Sequence, residues 1–338
     1  MIFQNMELYN VSEIAPLGRD NAYKMLRVPS SVAEHINDEA QRTNLYGCGV
    51  ELRFVMKSDT VSITMCTNEP GKFARLLVYF GGIQAGWSEI SRTVTSDATT
   101  FTIHRPSDYT MTGLEKITRE NNLPFDPRVV RVILLNHATS IIGVADGEIE
   151  PPTPDMVPKK HLLCYGSSIT HGSLALDQTN TYAFRTAENL GYDLINLGYA
   201  GSAQLDSAMA DYIATRGDAD IITLEMGINV FQWMPADEFR RRAEYFIKKV
   251  AVAHSDKPVY CIDMFYCDGD LMGDERADQF REIIRETVEK LALPNTVYIN
   301  GKTILDGSWG LSGDLGHPNM RAHEVMSRNL TAIIRRGI

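Results

Sequence analysis

The chain has 338 residues, more than one hydrophobic core usually serves, so two domains are expected. Its 44% hydrophobic and 22% charged residues exclude a disordered chain. A formal net charge of -10 excludes a nucleic acid or an anionic membrane as partner, because either would need a concentrated basic surface.

The N-terminal MIFQNMELY lacks the basic and apolar segments of a signal peptide, and no later run approaches a membrane span. The five cysteines (Cys48, Cys66, Cys164, Cys261, Cys267) form an odd count without a Cys-x-x-Cys pair, which argues for reduced thiols. Both features point to a cytoplasmic protein.

Residues 1–150 alternate apolar and polar side chains with period two. Val50, Leu52 and Phe54 stand against Glu51 and Arg53, and Val61, Ile63 and Met65 against Ser62 and Thr64. Runs at 76–80, 99–103 and 129–135 predict further strands, and together they predict a jelly-roll-like β-sandwich domain. Its strands are compatible with a wall of the cleft, a homo-oligomer contact or a glycan-binding face. Four prolines at 151, 152, 154 and 158 then forbid helix and central strand alike, which makes 151–159 a linker.

From 160 to 338 short apolar runs alternate with amphipathic stretches. Strands are predicted at 161–165, 193–197, 220–224, 258–264 and 296–299, and helices at 236–254, 275–291 and from Pro318, at the first helical position, to 336. Five strands with helical crossovers predict an α/β domain, a flavodoxin-like, doubly wound parallel sheet.

Ligands of such sheets bind at the carboxyl ends of the strands, so the residues there carry the functional signal. The first strand is followed by Gly166-Ser-Ser-Ile-Thr-His-Gly172 and the second by Gly198-Tyr-Ala-Gly-Ser202. The third ends in Glu225-Met-Gly-Ile-Asn229, and Ser312-Gly-Asp-Leu-Gly-His-Pro318 follows the fifth. In that order they match the four blocks of the SGNH, or GDSL-type, hydrolases, which this half of the chain resembles. Gly166-Ser-Ser168 matches the first block, Gly201 the second, Gly227-Ile-Asn229 the third and Asp314-Leu-Gly-His317 the fourth. Ser167 stands where the first block has aspartate, and Val230 where an aspartate often follows the third, which marks a divergent branch.

The resemblance implies an SGNH hydrolase fold with Ser168 as nucleophile, His317 as base and Asp314 as its orienting acid. The oxyanion hole would be the N–H groups of Ser168 and Gly201 with the Asn229 side chain. The chemistry of these residue types agrees. A serine hydroxyl needs a base within hydrogen-bond reach, a carboxylate orients the imidazole, and aimed donors stabilise the tetrahedral oxyanion. A side chain at 201 is expected to obstruct the substrate, and a helix starting near Ser168 to add its dipole. Capping of that helix by Ser167, Ser168 and Thr170 is the bland alternative for the same hydroxyls. Thr170 in place of a second glycine speaks against the Gly-x-Ser-x-Gly elbow of α/β-hydrolases.

Other polar residues are expected to be ordinary. His171 reads as a solvated loop histidine, His323 as solvent-facing on the last helix, and Asp263, Asp268, Asp270 and Asp274 as a solvated acidic loop without metal-ligand spacing. No metal or cofactor is expected. Phe231, Trp233 and Trp309 fall in the presumed site loops, where aromatic faces stack on sugar rings or simply pack their own loops.

A sandwich before such a domain resembles the layout of carbohydrate esterase family 2 and related bacterial acylesterases. The implied activity is hydrolysis of short-chain, acetyl O-esters of a carbohydrate. The alternatives are an esterase, thioesterase or acyltransferase acting on other acyl substrates such as lysophospholipids, or a carbohydrate-binding protein with an inert SGNH half.

Overall fold

The computed structural model describes residues 1–135 and 137–337, which fall into two compact units. The first comprises Met1–Ser30, Asn44–Lys159 and Gly191–Asp193, and the second Ser31–Thr43, Lys160–Leu190 and Leu194–Ile338.

The first unit is a sandwich of antiparallel sheets. The expected strands appear as Glu51–Met56, Thr60–Thr67, Phe73–Phe80, Thr99–His104 and Val129–Leu134. Period two has a direct physical cause here. Phe101 pairs with Ile63 and Ile103 with Val61 on the buried face, while the intervening Ser62–Thr102 and Thr64–Thr100 pairs join hydroxyls at 2.8 Å on the other.

Glu51 and Arg53 depart from the expected solvent face, because both are buried. The Glu51 carboxylate takes hydrogen bonds from Arg53 Nε at 2.8 Å and from Arg131 at 2.6 and 2.7 Å. Burial alone would raise its pKa, but Arg131 and Arg53 bring it down to about 2. Helix Asp108–Asn121, capped by Ser107, has no counterpart among the expected elements.

The second unit is built on five parallel strands: β1 (His161–Gly166), β2 (Asp193–Gly198), β3 (Ile221–Glu225), β4 (Val259–Ile262) and β5 (Thr296–Ile299). Their order is β2-β1-β3-β4-β5, so the chain leaves β1 to one side and returns on the other. The switch point of the sheet therefore lies at the carboxyl ends of β1 and β3. Strands β2 and β3 are buried throughout, as expected where helices cover both faces.

Helix Glu275–Leu291 shows why these sequences fold this way. Asp274 accepts the Arg276 N–H as N-cap, and Ala277, Phe280, Ile284 and Val288 recur at helical spacing on the buried side. The last helix is Met320–Gly337, and it does not begin at Pro318. Pro318 instead forms a bridge with Leu311, and Asn319 Oδ1 accepts the Ala322 N–H at 3.0 Å in the capping role. Among the described residues no helix is long and apolar enough to cross a membrane.

Candidate active site

At the end of β1 the chain turns directly into a single helical turn, Ser168–His171. Ser167 caps it, its Oγ accepting the Ile169 N–H at 3.1 Å. The expected helix is thus only one turn long, so it offers its leading N–H groups and little macrodipole. Ser168 follows the cap and is 8% exposed.

The Asp314 and His317 side chains come from a loop that Leu311 and Pro318 close by pairing. Asp314 Oδ1 accepts the N–H groups of Gly316 and His317 at 3.1 and 3.0 Å, and Ser312 Oγ lies 2.7 Å away. Asp314 Oδ2 lies 2.6 Å from His317 Nδ1, and His317 Nε2 lies 2.7 Å from Ser168 Oγ. Burial would raise the Asp314 pKa, but these hydrogen bonds outweigh it and hold the carboxyl well below the usual carboxylate range. Ionised Asp314 accepts from Nδ1–H, which leaves Nε2 as the acceptor facing Ser168.

The loop after β2 is bound to the nucleophile turn by its backbone. The Tyr199 N–H donates to Gly166 O at 2.8 Å, and Asn196 Nδ2 donates to Thr170 O at 3.0 Å. A Cβ at Gly198 would lie 2.2 Å from the His171 nitrogen, so only glycine allows this approach. Gly201 carries a backbone reason for glycine of its own. A Cβ there would meet nothing within 4 Å, but φ is +68°, in the left-handed region.

Asn229 Oδ1 accepts the Ala203 N–H at 3.0 Å, which ties the third loop to the second and fixes the orientation of the amide. Among the described residues, no protein acceptor engages the Ser168 N–H, the Gly201 N–H or Asn229 Nδ2.

Segment Ser31–Thr43, far from these motifs in sequence, supports the same loop. Asn37 Nδ2 donates to Ser202 O at 2.9 Å and to Asp206 Oδ2 at 2.6 Å, and the Thr43 and Ser202 hydroxyls lie 3.2 Å apart. Local sequence held no signal for this contribution, which comes from a short excursion of the chain out of the first unit.

Several expected surface residues are interior. His171 is 1% exposed, with Nδ1 3.3 Å from Gly198 O, and is not solvated. His323 is fully buried, and its Nδ1 accepts the Tyr182 N–H at 3.2 Å. Burial lowers its pKa to about 4, against a smaller opposing contribution from the Ser173 backbone. Asp263 is also fully buried, bound by Tyr298 Oη at 2.6 Å and the Gly301 N–H at 2.5 Å, and burial pushes its pKa up to about 6. Asp270 pairs with Arg281, so Asp263 and Asp270 are structural rather than parts of a solvated acidic loop.

Phe231 is likewise a core residue, packed on Gly269, because an uncharged ring finds more contact inside than at the rim. Trp233 and Trp309 are half exposed. Each indole is anchored by its Nε1–H, Trp233 to Asn229 O at 2.9 Å and Trp309 to Asp306 Oδ1 at 3.0 Å.

Residues 159–304 match the GDSL-like Lipase/Acylhydrolase family. The second unit is thus similar to the GDSL-like hydrolases over most of its length. It has the SGNH hydrolase fold, the fold of carboxylic ester hydrolases, and carries esterase or acyltransferase-type chemistry.

Solved structures extend the likeness of fold to the whole chain around the GDSL-like unit. The salicylyl-acyltransferase SsfX3 from a tetracycline biosynthetic pathway has a TM-score of 0.77 at 19% identity, covering 99% of this chain and 95% of its own. A putative GDSL-like lipase from Bacteroides ovatus has a TM-score of 0.64 at 17% identity over 98% and 97%. A family two carbohydrate esterase from Cellvibrio japonicus has a TM-score of 0.65 at 13% identity over 99% and 95%. No curated protein matches the sequence significantly.

Proposed function

We propose that the GDSL-like unit is a serine esterase that removes short acyl groups, acetyl above all, from carbohydrate hydroxyls through an acyl-enzyme. The observation that carries this reading is the unbroken relay of Ser168 Oγ, His317 and Asp314, with contacts of 2.7 and 2.6 Å. As Ser168 Oγ attacks the ester carbon, His317 Nε2 takes its proton and the carbonyl electrons move onto oxygen. Asp314 stabilises the imidazolium. The oxyanion is met by the Ser168 and Gly201 N–H groups and by Asn229 Nδ2.

Collapse of the intermediate breaks the bond to the sugar oxygen, which leaves with the proton from Nε2. Water then repeats the sequence on the acyl-enzyme, releasing the acid and restoring Ser168.

Two half-exposed indoles, Trp233 and Trp309, support a sugar as the alcohol, since flat faces of this kind stack on pyranose rings. Family two carbohydrate esterases share the fold. The five cysteines, all buried and none in a disulfide, support action in a reducing, cytoplasmic setting on soluble sugars.

A second reading has a specific observation behind it. A salicylyl-acyltransferase shares the fold over 99% of this chain, and the same acyl-enzyme can be opened by an alcohol in place of water.

The test is a panel of acetylated mono- and oligosaccharides, with and without added acceptor sugars, against the wild type and Ser168→Ala. Acetate release by the wild type alone is expected. Release retained in Ser168→Ala, or absent from the wild type on every member, would refute the reading, and acyl transfer dominating over release would favour the second.

A further inference from the structure

Glu225 closes β3 beside the nucleophile turn, and its residue is 1% exposed. Two other carboxylates with buried side chains face guanidinium groups, Glu51 opposite Arg131 and Asp270 opposite Arg281. Glu225 forms no ion pair among the described residues, and its Oε1 meets no hydrogen-bond partner. Burial raises its pKa above the ordinary range, and a hydrocarbon side chain would cost less to bury there.

Its other oxygen explains the placement. Oε2 accepts the Ser167 N–H at 2.5 Å and the Thr170 hydroxyl at 3.1 Å, and Thr170 Oγ1 in turn lies 2.6 Å from Tyr182 Oη. A Cβ at Gly166 would come within 2.4 Å of Oε2 and 2.2 Å of Thr170 Oγ1, so the carboxyl occupies the space that a side chain at 166 would need. Three successive backbone donors are thereby sorted. The Ser167 N–H goes to Glu225 and the Ile169 N–H to Ser167 Oγ, while the Ser168 N–H between them has no protein acceptor.

We propose that Glu225 is a positioning residue of the acyl-transfer site, whose buried carboxyl fixes the Gly166–Ser167 peptide at the start of the turn and so leaves the Ser168 N–H directed at the oxyanion. This rests on the esterase reading above. Glu225 touches no reacting atom. It acts by holding the turn in which the nucleophile and one oxyanion donor share a residue, where a displacement of about 1 Å can cost on the order of 100-fold in rate.

The test compares Glu225→Ala and Glu225→Gln on an aryl acetate, normalised by fluorophosphonate titration of active sites, together with the amide proton signal of Ser167. The Ala variant is expected to lose about 10- to 100-fold in kcat with KM changed less than about twofold. The Gln variant keeps a carbonyl acceptor and is expected within about threefold of wild type. A downfield Ser167 amide proton is expected in the wild type and in Glu225→Gln, and its loss in Glu225→Ala.

Wild-type kcat in the Ala variant, a Gln variant as impaired as Ala, or an unmoved Ser167 signal in Ala would each overturn the proposal. Should the Ala variant fail to fold, Glu225→Asp, which withdraws the carboxyl by one methylene, is expected to lower kcat about 10-fold at constant KM, and wild-type kcat there would overturn it equally. The amide signal needs no turnover, so a wild type inert towards every ester would sink the esterase reading and leave the role of Glu225 to be judged by that signal.

Discussion

His317 Nε2 lies 2.7 Å from Ser168 Oγ although 149 positions separate the two residues. If this contact is the proton path, the two side chains act as one unit, and their deletions do not add. Ser168→Ala, His317→Ala and the double variant are each expected to lower kcat to the same residual level, about 10^4-fold or more below wild type. Steady-state kinetics on an aryl acetate measure this, and a double variant far worse than either single one would contradict a shared role.

Asn229 is held by the Ala203 N–H through Oδ1, so its Nδ2 is the part left to bind a developing charge. Asn229→Ala is expected to cost on the order of 100- to 1,000-fold in kcat, with little change in KM. Equal losses in kcat and in the affinity for a non-reactive substrate analogue would assign the residue to ground-state binding instead.

Asn37 reaches the Gly201 loop from a distant part of the chain through Ser202 and Asp206. Asn37→Ala removes both hydrogen bonds and the one that Asn37 Oδ1 accepts from the Ala40 N–H at 3.0 Å, and a stability loss of about 1–3 kcal/mol is expected, since partners are left unmet. The kcat is expected to fall about 10-fold as the oxyanion donor loosens. Chemical denaturation and aryl acetate kinetics read the two effects, and unchanged kcat would show that the loop holds its shape unaided.

His323 carries a pH signature. Its folded pKa, lowered by burial to about 4, lies below the ordinary 6.5, so between those values the unfolded chain binds a proton that the folded one does not. The contribution of His323 to stability is therefore greatest above pH 6.5, falls as the pH drops towards 4, and levels off below it. The full effect is on the order of 3 kcal/mol. In His323→Asn, which keeps an acceptor for the Tyr182 N–H, denaturation midpoints between pH 7 and 4 are expected to flatten by that amount. A slope identical to wild type would place the titration elsewhere.

Trp233 and Trp309 are half-exposed, and the Arg321 guanidinium lies over the Trp309 ring, 5.6 Å from its centroid. Alanine at either position is expected to raise KM for an acetylated sugar several-fold more than for an aryl acetate, about 3- to 10-fold for the loss of one stacking contact. Equal effects on both substrates would remove the argument for sugar stacking.

Much of this architecture is written in local patterns. The period-two runs around 50–67 and the continuous apolar runs at 161–165 and 220–224 each dictate a strand, because the side-chain periodicity of a strand and its burial are properties of a few adjacent residues. The four motif-bearing loops were legible for the same reason. Three of them follow their strands directly, and a parallel sheet brings all strand ends to one edge whatever the details of packing.

What remained hidden depends on which surfaces meet. Glu51 and Arg53 alternate as solvent-facing residues would, yet they are buried in an ion network with Arg131, and nothing within a strand says what will cover its second face. His171, His323, Phe231 and Asp263 likewise sit in polar or loop contexts and end in the interior, each held by a partner such as Gly198, Tyr182, Gly269 or Tyr298. The support from Asn37 and the clamp from Glu225 belong to the same class. A carboxyl or amide is chosen there for one atom of a distant loop, and such a choice exists only once the chain has closed on itself, because hydrogen bonds act over about 3 Å of space and leave no period along the chain.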